Sequence, residues 1–242
     1  MSSRYTSPMH SRLLALSIFF FSSIAIADDC HPLPTPGTPQ YLVGYGSLMQ
    51  EASRLRTAPS AKEAWPVRVS GFRRAWIAQG APIGFSTTFL GIAIDPRAAT
   101  NAVIFPLASD AELADMDARE SGYCRVAIDE KQIAMLGGTP PPAGETWIYV
   151  NRPQRIAAPS PRHPIVQSYV DIFINGCMQV ERQYRLAGFA EECIDSTRGW
   201  SRHWVNDRIH PRRPFIHQPN AAAIDALLQR KLPEQFKAIR IE

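Results

Sequence analysis

The strands of this chain come before most of its helices, and that order limits the folds open to it. Between residues 41 and 106 lie four short runs, YLVGYGS, PVRVSGFRRAWI, TTFLGIAID and NAVIFPL. Each is rich in β-branched and aromatic residues and bounded by Gly, Pro or Asn, the pattern of strands. Ser109-Asp110-Ala111-Glu112 then reads as a capping box that opens a helix through LADMDARE. A further strand, TWIYV (146–150), precedes a proline-rich link at 153–164. Pro164 suits the first turn of a long helix, IVQSYVDIFINGCMQVERQYRLA, stopped by Gly188. Its Ile165, Tyr169, Ile172, Phe173, Val180 and Tyr184 recur at helical spacing and predict a core face. A last helix starts at Asn220 and turns Ile224, Leu227 and Leu228 inward. No internal repeat is visible. The order predicts an α+β domain on one mixed sheet or barrel of about five to six strands with flanking helices.

Residues 1–27 read as an export signal instead of a part of the fold. Arg4 and Arg12 carry positive charge, the apolar run LLALSIFFFSSIAIA follows, and Ala25-Ile26-Ala27 closes it with a small-x-small pattern. At 15 residues the run is short for a membrane span, which needs roughly 20. Asp28 and Asp29 before Cys30 do not suit a lipid-attachment site. The expected product is periplasmic or secreted, begins near Asp28, and keeps no stable membrane association. Removing 27 of 242 residues leaves 215, enough for one core. Removing Arg4 and Arg12 from the formal +4 leaves +2, too little to argue for nucleic acid as a partner. Within the mature chain, 28–40 is a proline-rich lead-in, expected to be extended and mobile. Residues 41–195 form the domain, and 196–242 a C-terminal extension packed on it.

All four cysteines, Cys30, Cys124, Cys177 and Cys193, survive cleavage into an oxidising compartment. Four cysteines allow three complete pairings. Cys177 and Cys193 flank the helix end at Gly188, so either they meet in a bridge or they are buried free thiols. There is no zinc-ligand spacing. His203, His210 and His217 recur every seven residues, but the prolines at 211, 214 and 219 keep them off one helix face. No metal is expected.

Two features point to chemistry. The strand at 41–43 runs into Gly44-Tyr45-Gly46-Ser47, where glycine permits positive φ or close approach to a ligand. The same turn can be a plain chain reversal. In the helix from Ser109, Leu113, Met116 and Glu120 share one face. Glu120 thus continues an apolar stripe and sits at the helix C-terminus, where the dipole disfavours a carboxylate. Both effects predict a raised pKa suited to general acid–base work. The alternative is a structural glutamate paired with Arg119 or Arg125.

VGYGSLM, VSGFRRAWI and LADMDARESGYCRVAI resemble, in order and spacing, the gamma-glutamylcyclotransferase superfamily. The resemblance covers roughly residues 41–150. It implies a substrate-binding loop at Tyr45, Gly46, Ser47 and Leu48, Glu120 as the single catalytic acid/base, and Tyr123 of the following Gly-Tyr pair at the substrate. It also implies the reaction. The α-amine of a γ-glutamyl compound attacks its own γ-carbonyl, giving 5-oxoproline and a free amine with no cofactor. Leu48 follows the Tyr-Gly-Ser triplet as in the glutathione-specific branch. GAPIGFSTTFLGI stands where that branch carries Arg-Gly-Thr, so the particular γ-glutamyl substrate stays open. A second enzyme reading makes Cys124 a nucleophile, against a structural cysteine. A non-enzyme reading makes the chain a binding module for γ-glutamyl compounds. The segment STRGWSRHWVNDRIHPRRPF is either a flap over the pocket, bringing Trp200, Trp204 and Arg212-Arg213, or an aromatic-anchored arm on the surface.

Overall fold

A computed structural model describes residues 30–80, 87–139, 143–212 and 220–242. Residues 1–27, read from the sequence as an export signal, lie outside these residues. The chain begins with β1 (Gln40–Gly44), a 3-10 turn at Ser47–Met49, and a short α1 (Glu51–Leu55). Two long strands follow, β2 (Trp65–Gln79) and β3 (Thr88–Leu107). Next come α2 (Asp110–Arg119), β4 (Tyr123–Ala127), β5 (Ile133–Met135) and β6 (Glu145–Asn151). The second half holds β7 (Ile165–Val166), α3 (Gln167–Tyr184), α4 (Phe189–Asp195), β8 (Trp204–Asn206), α5 (Ala221–Lys231), α6 (Pro233–Lys237) and β9 (Arg240–Ile241).

Among the described residues the main sheet has six strands in the order β4-β6-β1-β3-β2-β5, and β7-β8-β9 form a second, small sheet. The main sheet is mixed: β1 runs antiparallel to β3 and parallel to β6. The α+β expectation holds, but the barrel does not. β4 and β5 are opposite edges, so the sheet stays open. Its central strands are buried on both faces. Leu42, Phe105, Trp147 and Tyr149 pack into one apolar cluster with α3, while Val43, Ile104, Ile148 and Val150 pack into another. Strict alternation of side chains across a strand places neighbours in opposite layers.

Several elements differ from the sequence expectation. TTFLGIAID and NAVIFPL belong to one strand, because β3 pairs with β2 on both sides of the interruption at 95–98. Ser109 caps α2 by accepting from Glu112 N–H at 3.3 Å. The return half of the box is replaced, since the Glu112 carboxylate accepts from the N–H groups of Ala108 and Ser60 and from the Ser60 hydroxyl. Pro164 does not start α3. Ile165 and Val166, both β-branched, pair instead with Trp204 and Val205, and Asp207 caps the helix through the Ser168 N–H and hydroxyl. The lead-in is pinned. Cys30 is bonded to Cys124, Arg125 donates to the Pro32 carbonyl at 2.6 Å, and Thr35 donates to Glu145. Cys177 and Cys193 form the second disulfide, joining α3 to α4.

Candidate active site

The Tyr-Gly-Ser loop is made by the end of β1 turning sharply into the 3-10 turn, whose first bond runs from Met49 N–H to the Gly46 carbonyl. Neither Gly44 nor Gly46 has positive φ. Close approach is what requires them. A Cβ on Gly44 would stand 2.8 Å from Leu48 Cβ, and one on Gly46 would stand 2.8 Å from the Tyr169 hydroxyl. The loop can therefore fold back on itself and lie flat against α3.

Next to it the chain leaves α2. Leu113 and Met116 are buried, and Glu120 follows as the C-terminal cap, its N–H bonded to the Met116 carbonyl at 2.9 Å. One turn of helix thus carries the apolar anchor and presents the carboxylate. The Glu120 side chain is 18% exposed and ion-paired with Arg119, Nε to Oε1 at 3.1 Å. Of the two arginine partners considered, Arg125 is taken by Asp117 at 2.9 Å. Arg119 reaches further, donating to the Ser53 carbonyl at 2.7 Å, Thr57 Oγ1 at 3.1 Å, Ser53 Oγ at 3.0 Å and Ser47 Oγ at 3.3 Å. One guanidinium therefore joins the loop, α1 and the carboxylate.

These parts surround a cavity of about 330 Å³, lined by Ser47, Ser53, Arg56, Thr57, Phe89, Arg119, Glu120, Tyr123, Tyr169 and Ile172. A smaller recess of about 30 Å³ shares Ser47, Glu120, Tyr123 and Tyr169 with it and adds Tyr45, Gly46 and Leu48. All six residues expected at the site from the sequence, Tyr45, Gly46, Ser47, Leu48, Glu120 and Tyr123, are brought to one place. The Tyr45 hydroxyl is committed to the Tyr149 carbonyl at 2.8 Å. Burial, followed by Tyr123, Glu120 and their neighbours, pushes its pKa well above the ordinary phenol range, so Tyr45 is a neutral wall. Tyr149 is held the same way, raised by burial and by its 2.7 Å bond to Asp117. Tyr123 donates to the Leu90 carbonyl at 3.1 Å.

Tyr169 and Phe89 were not expected here. Tyr169 belongs to the stripe read as core, and it is core: it packs edge-on against Trp76 and Phe89 at 5.8 and 5.1 Å. Its hydroxyl end is what reaches the cavity side, and helical periodicity carries no signal for that. Cys124, bonded to Cys30, has no free thiol and is excluded as a nucleophile. Trp200 and Trp204 are not a flap. Trp204 is fully buried, and Trp200 lies between it and Trp76 at 5.3 and 5.0 Å. Neither lines the cavity, while Arg213 lies outside the described residues. Among the described residues no helix is long and apolar enough to cross a membrane, and no group of His, Cys, Asp or Glu could hold a metal ion.

The sequence matches no family model and no curated protein. Among solved structures the chain is similar to a gamma-glutamyl cyclotransferase, at 15% identity and a TM-score of 0.47 over 64% of this chain and 85% of that one. It is similar to an uncharacterized protein from Homo sapiens at 14% identity and a TM-score of 0.45, covering 65% and 87% of the two chains. A gamma-glutamyl cyclotransferase specific to glutathione from yeast aligns at 10% identity and a TM-score of 0.40, over 66% and 98%. At such identities the likeness is one of fold.

Proposed function

We propose that this protein cyclises the γ-glutamyl group of a peptide or amine to 5-oxoproline and releases the free amine, with Glu120 as general acid and base. One observation carries the reading. The Glu120 carboxylate stands on the wall of the same cavity as the Tyr-Gly-Ser loop and Tyr123, and among the described residues the lining brings no histidine or cysteine beside it. Intramolecular aminolysis needs none. The substrate's α-amine is tethered to its target, and holding it near the carbonyl collects part of an advantage that can reach about 7–11 kcal/mol.

In this reaction Glu120 takes a proton from the α-ammonium, and the freed amine attacks the γ-carbonyl carbon. The attacking nitrogen gives up its second proton to water, and the carbon–nitrogen bond to the leaving amine breaks as Glu120 returns its own proton to that nitrogen. The released amine takes up the solvent proton, so the two protons lost by the α-ammonium are the two gained by the departing ammonium. The oxyanion formed between the two steps needs donors, and the loop and the Arg119 guanidinium are among the polar groups that share the cavity with the carboxylate. Arg119 also fixes the direction of the carboxylate, which matters for a group that must serve two nitrogens in turn. Arg56 and Arg119 on one wall favour a substrate bearing a carboxylate.

The test is release of 5-oxoproline from a panel of γ-glutamyl amino acids, peptides and amines by the purified mature chain. Release from any of them supports the reading. Binding of a γ-glutamyl compound without release makes the chain a binding module instead. Neither binding nor release ends the reading. The stretch that would speak to glutathione includes residues 81–86, outside the described residues, so the panel also sets the substrate.

A further inference from the structure

Arg74, in the middle of β2, is buried with no exposed surface. Its Nε donates to Thr197 Oγ1 at 2.7 Å. Nη1 donates to the carbonyls of Tyr45 at 3.1 Å and Asn101 at 2.8 Å. Nη2 donates to Asn101 Oδ1, the Cys193 carbonyl and Ser196 Oγ, each at 2.8 Å. Its Cζ lies 4.7 Å from the centroid of the Phe173 ring. Every hydrogen-bond acceptor is a neutral oxygen, so the charge has no carboxylate in contact. Such a cation is expensive to bury. Burial lowers its pKa to about 9 against the pull of the Glu192 carboxylate, which acts from beyond contact distance, and the group stays charged at neutral pH.

One of those acceptors belongs to the candidate site. The Tyr45–Gly46 peptide is trans, so the carbonyl held by Arg74 and the Gly46 N–H lie on opposite edges of one plane. Gly46 lines the recess beside Glu120. A donor bound to the carbonyl polarises the peptide and strengthens its N–H as a donor. The remaining partners tie Arg74 to the end of α4, beside the Cys177–Cys193 bridge, which holds the guanidinium in one orientation.

We infer that Arg74 is a positioning residue for the reaction proposed above: it fixes the Tyr45–Gly46 peptide and places a buried positive charge, with no carboxylate in contact, behind the loop, so that the loop receives an anion. The inference rests on the cyclotransferase reading. Anionic groups occur on both sides of the reaction, as the substrate's α-carboxylate, the oxyanion, and the carboxylate of 5-oxoproline.

The test compares the wild type with Arg74→Met, Arg74→Lys and Arg73→Met in the mature chain. Arg73→Met removes the neighbouring exposed cation, which pairs with Asp95, and leaves the Tyr45 contact and the buried charge in place. It should leave kcat/KM within twofold of wild type. Arg74→Met should lose about 100-fold in kcat/KM, the lower end of what removing one preorganised donor costs. Arg74→Lys keeps charge without the fork and should fall between. Binding supplies the readout that a purely structural role would not move. Arg74→Met should bind 5-oxoproline about tenfold more weakly, roughly 1.4 kcal/mol, and bind the uncharged lactam 2-pyrrolidinone as wild type does. A folded Arg74→Met with wild-type kcat/KM, or with equal losses for the acid and the lactam, overturns the inference. Should the Arg74 variants not fold, the wild type decides by NMR. The Arg74 Nε–H resonance should shift with 5-oxoproline and not with 2-pyrrolidinone, and an unmoved signal overturns the inference. A wild type that neither binds nor releases 5-oxoproline overturns the cyclotransferase reading and this inference together, whereas an active wild type with unaffected Arg74 variants overturns this inference alone.

Discussion

Glu120 and Arg119 are adjacent in sequence and act on different neighbours. The carboxylate faces the cavity while the guanidinium spans from Ser47 to Ser53 and Thr57. Replacing Glu120 with Gln keeps size and most hydrogen bonding but removes the proton acceptor. Turnover should fall by about 10²–10⁴-fold, the range for general acid–base catalysis. A γ-glutamyl ligand should still raise the melting temperature, because the loop that receives it is untouched. Full 5-oxoproline release by the glutamine variant would end the role given to Glu120. Arg119→Lys makes a different prediction. A lysine has one nitrogen and cannot reach the loop, α1 and Glu120 at once. Both kcat and KM should worsen, and steady-state kinetics with KM unchanged would show that the fork is not needed. Glu120 is legible in the sequence from its place on the apolar face of α2, whereas Arg119 enters there only as one of two possible partners of a structural glutamate. Arg74 is not legible there. It stands beside Arg73, and Arg73 is the exposed one, paired with Asp95 at 3.0 Å. Val67 and Val69 are buried before a register shift between Ser70 and Phe72, and Phe72, Arg74 and Trp76 are buried after it. The bulge moves the inward face from odd to even positions, and alternation read from the sequence alone assumes no bulge.

At the scale of elements, α2 is the part whose placement decides where Glu120 points. Its start is fixed twice, by the Ser109 cap and by Glu112, which reaches back to Ala108 and across to Ser60. Burial alone would raise the Glu112 pKa, but the bonds from Ser60 and Ala108 outweigh it and hold the pKa below the ordinary carboxylate value. A carboxylate with a depressed folded-state pKa stabilises the fold above its unfolded pKa and loses that contribution as pH falls through the folded value. Glu112→Gln should therefore melt below wild type at pH 7, and the gap should close as the pH is lowered toward 3. A gap that is constant with pH in thermal melts would remove the charge from this account. The elements themselves were mostly legible, because β1 and β6 are short runs rich in β-branched and aromatic residues and α5 carries Ile224, Leu227 and Leu228 on one buried face. The joins were not. Asp95 and Pro96 look like a break between two strands, yet β3 passes through them on the strength of its pairing with β2. Pro164 suits a helix start by local rule, yet a strand partner 39 residues on, Trp204 for Ile165, takes the next two residues. Sheet closure is equally non-local, which is why the choice between sheet and barrel waited for the strand order.

Taken as a whole, the molecule is closed by two covalent ties, each anchored on an element that lines the candidate site. Cys30–Cys124 fastens the lead-in to β4 one residue after Tyr123, and Cys177–Cys193 fastens α3, the helix of Tyr169, to α4. The lead-in reads as mobile in sequence because proline and polar residues dominate it. What holds it is a distant cysteine together with Arg125, whose N–H and guanidinium meet the carbonyls of Cys30 and Pro32. The bridges span 94 and 16 residues. Loop-closure entropy assigns about 3 kcal/mol to a loop of ~15 residues and about 4.7 kcal/mol to one of ~100. For a domain of this size each 1 kcal/mol moves the melting temperature by about 2–4 °C. Cys177→Ala together with Cys193→Ala should lower it by roughly 6–12 °C, and the Cys30, Cys124 double variant should lower it at least as much. The two losses differ in consequence. The Cys193 carbonyl that holds Arg74 loses its covalent tie to α3 in the first variant, which should therefore also weaken 5-oxoproline binding, whereas the second should affect the site through Tyr123. Non-reducing peptide mapping checks the premise, with Cys30 linked to Cys124 and Cys177 to Cys193. Any other pairing, or melting unchanged by a reductant, would contradict the arrangement of the whole chain.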